Sequence, residues 1–254
     1  MFDIGANLTS SHFSKDLDVV LNDSLKAGVE KICITSSNLD DVKNAKKITE
    51  KYKNLYYSVG FHPHNAKDFK IEFLKDMSVY LNDPKAICLG EMGLDFNRNF
   101  SSKEEQILCF ESQLSLANSI SKPLFLHQRD AHEEFLSVLD NHKFNQKLIV
   151  HCFTGNLSEL EEYLKRDFYI GITGWVCDLK RGKELRECIN QIPEDKLLIE
   201  TDSPYLSPRK KIRRNEPKFL IDVAEEVATL RNETTESIIN SSYKNSLNFF
   251  NLHR

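Results

Sequence analysis

The chain has 254 residues, of which 40% are hydrophobic and 28% are charged, an ordinary composition for a globular protein with its own core. Its formal net charge of −4 excludes a global attraction to nucleic acid or anionic lipid, so a polyanionic partner requires a local basic patch or a metal ion. No apolar stretch has the length of a membrane span, and no signal peptide precedes the first predicted strand. Six scattered cysteines without a CxxC pair indicate buried thiols, so we expect a cytoplasmic protein without a membrane partner.

Eight short apolar or β-branched runs recur along the chain, with amphipathic stretches between them. Their starts are about 22 to 37 residues apart, the length of a strand, a helix and two loops. The runs are continuously apolar, as in parallel strands that are buried on both faces. We predict strands, in chain order, in FDIGANL from Phe2, KICITSS from Lys31, LYYSVGFHPH from Leu55, AICLGEMGLD from Ala86, PLFLHQRDA from Pro123, KLIVHCFTG from Lys147, YIGITGWV from Tyr169 and LLIETDSPYL from Leu197.

Helix signals fall between these runs. Ser102 and Glu105 form a capping-box pattern, Gly28 closes the first amphipathic stretch, and Pro217 suits the first turn of a helix. The whole pattern predicts an α/β protein with a single (β/α)8 TIM-barrel domain over residues 1–254. An open, doubly wound sheet is the alternative, but polar residues at nearly every strand end favour a closed barrel.

Polar side chains follow the predicted strands at their C-terminal ends, where catalytic residues gather in such a barrel. They are His62, His64, Glu91, Asp95, His127, Arg129, Asp130, His151, Glu200 and Asp202. Strand residues two apart point to the same side, so Glu200 and Asp202 share a direction. Carboxylates at close range are costly unless a cation or proton lies between them. We therefore predict a divalent metal whose ligands are Glu91, His127, His151 and Asp202.

Each of these residues also has a structural interpretation when it is taken alone. A histidine at a strand end is commonly a hydrogen-bonded structural residue, and a lone Glu91 or Asp202 can cap a helix. The coincidence of all four favours the metal. The sequence contains no GxSxG elbow, Walker-type loop or GxGxxG fingerprint, which argues against a serine nucleophile and an organic nucleotide cofactor.

Several blocks resemble the TatD family of metal-dependent deoxyribonucleases. The similarity runs from Met1 to about Leu230 with the blocks in the same order, namely MFDIGANLTS, GFHPH, GEMGLDFNRN, LHQRDAH, HCFTG, GITGWVCD, ETDSPYL and RRNEP. The resemblance implies a TIM barrel of the amidohydrolase-like superfamily and a magnesium- or manganese-dependent 3′→5′ exonuclease on DNA, often single-stranded. It places the family's metal-binding residues and acidic pair on Glu91, His127, His151, Glu200 and Asp202, and the histidine that opens HPH on His62.

One block departs from the wider family, in which the first strand ends in a DxHxH pattern that supplies two metal ligands. Here the stretch is DIGAN, with Gly5 and Asn7 in place of the histidines. The narrower TatD branch shares this change. The departure leaves a tightly held second metal in doubt.

The resemblance implies an enzyme that hydrolyses phosphodiester bonds. Metal ligands would activate water, Asp202 would orient that water and accept its proton, and Glu200 would complete a weaker second metal site. Arg129 and His62 would bind the phosphate and stabilise its charge. The mixed histidine and carboxylate shell suits manganese or zinc by affinity and also admits magnesium.

A local basic patch for single-stranded DNA or RNA follows the eighth strand. It comprises Arg209, Lys210, Lys211, Arg213 and Arg214, of which we expect Arg213 and Arg214 to contact the substrate. Trp175 is expected to stack on a base. The structural alternatives are a solvated loop and a packed indole.

Two other functions remain open at this point. A metallohydrolase acting on a small amide, lactone or cyclic imide would need a similar site, although the basic loop argues against it. A non-catalytic barrel that keeps its site for partner binding is less consistent with the full ligand set.

Overall fold

The computed structural model describes residues 1–143 and 145–252, and its strands lie where the sequence predicts them. They are β1 (Phe2–Ala6), β2 (Lys31–Ile34), β3 (Leu55–Val59), β4 (Ala86–Asp95), β5 (Leu124–Arg129), β6 (Leu148–Val150), β7 (Tyr169–Ile172) and β8 (Leu197–Ile199). All ten residues of β4 are buried, as expected of a strand covered on both faces.

Helices separate the strands. They are α1 (Leu17–Lys26), α2 (Leu39–Lys51), α3 (Phe73–Leu81), α4 (Lys103–Leu114), α5 (His132–Asp140), α6 (Leu157–Lys165), α7 (Lys183–Cys188), α8 (Leu220–Arg231) and α9 (Thr235–Phe249). The capping box is confirmed, because Ser102 accepts from the Glu105 N–H while the Glu105 side chain accepts from the Ser102 N–H. Helix α9 was not predicted and extends the pattern beyond eight units.

The strands follow one another in the sheet in chain order, from β1 to β8. The pairings of β1 with β2, of β3 with β4, of β4 with β5, of β5 with β6 and of β7 with β8 are parallel. Ala6 in β1 pairs in parallel with Ser203, which follows β8. This strand order, with a helix after each strand, is that of a (β/α)8 barrel and confirms the predicted fold class.

The chain divides into two compact units. The terminal unit comprises Met1–Ile34 and His151–Arg254, and the central unit comprises Thr35–Val150. The single domain over residues 1–254 stays a prediction.

Aromatic side chains fill the interior of each unit. In the central unit, the rings of Phe110 and Phe135 stack with centroids 5.6 Å apart. In the terminal unit, Phe250 packs on Phe2 at 5.4 Å. None of the six cysteines forms a disulfide; four are buried, as the sequence indicated, whereas Cys152 and Cys177 are half-buried. Within the described residues, no helix has the length and apolar character needed to cross a membrane.

Candidate active site

Two predicted histidines of the central unit meet at one predicted carboxylate. His62 follows β3, Glu91 lies in β4 and His127 lies in β5. Oε1 of Glu91 is 3.0 Å from Nε2 of His62 and 2.9 Å from Nδ1 of His127. We call these residues, together with His64 and Asp95, the histidine–carboxylate cluster. The structure therefore brings together the two predicted metal ligands of this unit and the predicted phosphate-binding histidine.

A glycine in β4 makes this approach of the strands possible. Gly93 pairs with His127 and has a φ of +146°, a conformation that side chains rarely adopt. A Cβ at this position would lie 1.9 Å from the carbonyl oxygen of His127. The second glycine of the GEMG block is thus required by the backbone beside the metal-ligand candidate.

Hydrogen bonds define the proton position on His62. Its Nδ1 accepts from the backbone N–H of His64 at 3.0 Å, so the neutral ring carries its proton on Nε2 and donates to Glu91. Burial lowers the pKa of His62 to about 4, although the Glu91 carboxylate opposes this shift. His62 is therefore a neutral N–H donor at pH 7.

Asp95 links the remaining imidazoles of the cluster. Its Oδ2 lies 2.7 Å from Nε2 of His64 and 3.5 Å from Nε2 of His127. Burial alone would raise the pKa of this carboxyl, but the neighbouring His127 and His64 imidazoles and the hydrogen bond from the Arg98 N–H hold it well below its usual range. Asp95 is thus ionised and fixed. His64 and Asp95 stand at strand ends in the sequence, but their positions alone did not indicate this role.

The cluster has a donor set that suits a divalent metal. One ligand atom each from His62, Glu91 and His127 can be chosen so that all three lie within 4.8 Å of one another. Imidazole nitrogen and carboxylate oxygen are ligands of Zn²⁺ and Mn²⁺, and carboxylate oxygen also binds Mg²⁺. The residues present therefore fit a divalent cation.

In the terminal unit, Glu200 holds the turn that contains His151. The Glu200 side chain is fully buried, and its Oε1 accepts from the Cys152 N–H at 2.5 Å. Its Oε2 is 3.4 Å from Nδ1 of His151. A Cβ at residue 171 would lie 2.5 Å from Oε1 of Glu200, so Gly171 leaves the space for this carboxylate. A carboxylate on one imidazole nitrogen orients the other nitrogen for metal binding.

Asp202 is held by the first strand. It has a left-handed φ of +53°, and its N–H donates to the carbonyl of Gly5 at 2.8 Å. The Asn7 side chain donates from Nδ2 to Oδ1 of Asp202 at 2.8 Å. The asparagine that replaces a histidine of the wider family pattern therefore supports a site carboxylate. The sequence pattern showed Asn7 only as a replacement for a histidine and did not indicate this contact, since the two residues lie 195 positions apart.

The remaining predicted site residues have different environments. Arg129 is half-buried at the end of β5. In the register of the sheet, its backbone lies opposite that of Asp95 in the neighbouring strand β4. Trp175 is only 9% exposed, its indole N–H donates to the carbonyl of Arg181, and the Arg181 guanidinium covers the ring at 4.6 Å. This packing favours the structural interpretation of Trp175 over the predicted base stacking, because both its face and its N–H are engaged within its own loop.

The basic loop divides into engaged and exposed cations. Arg214 makes two parallel hydrogen bonds to the Asp16 carboxylate, at 3.0 and 2.7 Å, and a third to Glu216 at 2.8 Å. Arg209 forms a similar pair of hydrogen bonds with Asp222, at 2.7 and 2.9 Å. These contacts favour structural roles, against the substrate contact expected of Arg214. Arg213 is exposed, and no ion pair involves it within the part of the chain that the structure describes.

Comparisons with known proteins identify the family of the chain. Residues 2–251 match the family model described as TatD related DNase. A relative from Klebsiella pneumoniae named "3'-5' ssDNA/RNA exonuclease TatD" is 43% identical over 244 residues, which cover 93% of this chain and 92% of the relative.

Two solved structures share the fold over nearly their whole length. A TatD-family hydrolase from Entamoeba histolytica is 30% identical with a TM-score of 0.88, covering 98% of this chain and 97% of that chain. A TatD homologue from Escherichia coli is 26% identical with a TM-score of 0.92, covering 100% of this chain and 98% of that chain. From the family match and the near full-length identity, this chain belongs to the TatD family.

Proposed function

We propose that this chain is a metal-dependent 3′→5′ exonuclease that hydrolyses the phosphodiester bonds of single-stranded DNA or RNA. The observation that carries the proposal is the 43% identity to a relative of that name over 93% of the chain. The donor set of the histidine–carboxylate cluster supports it, because phosphodiester hydrolysis by metal needs such ligands. This similarity favours the nuclease over a small-amide hydrolase or a non-catalytic barrel.

We propose Glu91 and His127 of the central unit, and His151 and Asp202 of the terminal unit, as metal ligands. A bound divalent cation supplies Lewis-acid activation of water and offsets negative charge on a phosphate. Magnesium and manganese are the proposed ions, and zinc is a third candidate for the imidazole-rich ligands.

The other residues act through hydrogen bonds and charge. Glu200 positions His151 by the contact at Nδ1, and Asn7 holds the Asp202 carboxylate in the orientation needed to accept a proton from water. His62 is neutral at pH 7, and its single N–H donates to Glu91, so it orients that carboxylate rather than adding a charge or a donor at the phosphate. Arg129 supplies the positive charge for that phosphate.

The direction of attack can be tested with two substrates of equal sequence. A 5′-labelled linear single strand should give a ladder of products shortened from the 3′ end in Mg²⁺ or Mn²⁺, and none in excess chelator. A covalently closed circle of the same strand should persist, since it has no 3′ end. Rapid cutting of the circle would show endonuclease action and refute the proposal.

The ligand assignment can be tested by single replacements. Glu91→Ala, His127→Ala and His151→Ala should each nearly abolish hydrolysis, because losing a ligand weakens metal binding more than losing a supporting partner, which costs about 10–100-fold. Lys75→Ala, at an exposed position on α3, is the control. Full activity of His151→Ala at limiting metal would contradict the assignment.

A further inference from the structure

The loop between β4 and α4 combines aromatic, cationic and amide side chains in a short exposed stretch. Residues 96–100 read FNRNF, and we call them the FNRNF loop. Its last four residues are exposed, and Phe100 leaves 57% of its surface in solvent. An exposed phenylalanine ring costs free energy unless a partner covers it.

Hydrogen bonds fasten both ends of this loop. Oδ1 of Asp95 accepts from the backbone N–H groups of Asn97 and Arg98, at 2.9 and 2.8 Å. The buried Gln106 amide joins both ends of the loop, because it accepts from the Asp95 N–H and donates to the carbonyls of Asp95 and Ser101. A loop fixed in this way has little conformational entropy to lose on binding.

The exposed ring adjoins the histidine–carboxylate cluster. Phe100 contacts His64 edge to face, with ring centroids 4.9 Å apart. His64 in turn lies 4.2 Å from the ring of His62 and 2.7 Å from Asp95. The rings of Phe100 and His64 would therefore be all that separates a group stacked on Phe100 from His62, the imidazole that donates to Glu91.

Cations lie in the FNRNF loop and directly after it. Arg98 is exposed, and within residues 1–143 and 145–252 no ion pair occupies its guanidinium. The Lys103 ammonium lies 4.3 Å above the Phe96 ring at the start of α4. The chain as a whole is acidic, with a net charge of −4, so Arg98 in the loop and Lys103 just after it are a local departure that suits an anionic ligand.

We propose that the FNRNF loop binds a nucleotide of the single-stranded substrate, with a base stacked on Phe100 and an adjacent phosphate paired with Arg98. This inference rests on the proposed function and adds a substrate-binding segment in the central unit to the residues predicted from the sequence. Stacking on a ring accepts every base, so it gives affinity for single strands without sequence preference.

The stacking contact is tested with the metal-loaded protein and a phosphorothioate oligonucleotide that resists hydrolysis. Phe100→Leu keeps an apolar side chain but removes the ring, and it should weaken binding about 5- to 150-fold, the range measured for base–aromatic stacking. Phe100→Tyr should bind like the parent protein. Leu108→Ala, which removes another exposed apolar side chain from α4, is the matched control and should have no effect.

A strand of the same length without bases separates stacking from charge. Phe100→Leu should bind this abasic strand as well as the parent does, because no base is present to stack. Arg98→Gln should weaken both strands and lower the salt slope of binding by about 0.7, the value for one lost phosphate contact on a single strand. Lys75→Gln removes an exposed charge from α3 and should leave the slope unchanged.

The outcomes distinguish this inference from the proposed function. Equal binding of the base-containing strand by Phe100→Leu, Arg98→Gln and the parent would overturn the inference, even if the parent degrades DNA. Weakened binding by the variants with no hydrolysis by the parent would retain the binding segment and reject the exonuclease. An equal loss by Phe100→Leu on both strands would show a structural effect and also overturn the stacking contact.

Discussion

Glu200 shows how one buried carboxylate can determine which nitrogen of a histidine is available. It accepts from the Cys152 N–H and lies next to Nδ1 of His151, which leaves the Nε2 lone pair of His151 for a metal. We expect Glu200→Gln to weaken metal binding about 10–100-fold, because an amide N–H at this place would favour the opposite tautomer.

Isothermal titration of Mn²⁺ into the folded variant measures this effect. Glu161→Gln, at an exposed position on α6, is the control. An unchanged affinity in Glu200→Gln would mean that Glu200 does not position His151.

Asp3 is a fully buried carboxyl that makes stability depend on pH. It accepts from the N–H and hydroxyl of Thr201 at 2.9 and 2.5 Å, yet burial raises its pKa to about 8. Between pH 4 and 8 the folded state keeps a proton that the unfolded chain releases, so the free energy of unfolding falls as pH rises, by at most about 1.4 kcal/mol per pH unit.

The contribution of Asp3 is measured by urea unfolding at pH 5 and pH 8. Asp3→Asn cannot lose a proton there, so we expect a smaller decrease between the two pH values than in the parent. Equal decreases in the two proteins would show that Asp3 does not titrate in this window.

At the scale of elements, the long segment between β8 and α8 is held to the start of α1. Arg214 joins the Asp16 carboxylate, Glu216 and the carbonyl of His12, all within the terminal unit. We expect Arg214→Ala to increase the amide hydrogen exchange of residues 205–216 with little change in global melting temperature, because partly exposed ion pairs contribute little to overall stability.

Arg214→Lys is the informative companion variant, since an ammonium cannot make the two parallel bonds to Asp16. It should show increased exchange as well. Exchange at the parent's rate in both variants would refute the proposed role of Arg214 in fastening the segment.

Elements also differ in how well the sequence predicts them. The eight strands were predictable because continuous apolar runs and their spacing are local properties of the chain. The capping box at Ser102 was equally local. Helix α9 was missed because its buried face includes polar residues and so shows no clear apolar stripe. Ser242 and Asn245, for example, are buried and form hydrogen bonds with distant segments.

At the scale of the whole molecule, metal binding should stabilise the folded chain, since the unfolded chain does not bring the ligands together. A ligand at about 100 times its dissociation constant adds about 2.7 kcal/mol. We expect Mn²⁺ to raise the melting temperature of the parent, excess chelator to reverse the rise, and Glu91→Ala to reduce it. A melting temperature independent of metal would contradict a metal site in the native protein.

The sequence by itself determined the order of the strands, the fold class and the polar residues at the strand ends, because these follow from local pattern and from the general rule for parallel barrels. Only the tertiary structure decided which groups those residues contact. Asn7 supports Asp202, Arg214 binds Asp16 and Arg181 covers Trp175, and no spacing in the chain indicates these contacts. The physical reason is that a hydrogen bond depends on atoms within about 3 Å of each other, and residues as far apart as Asn7 and Asp202 come that close only after the chain has folded.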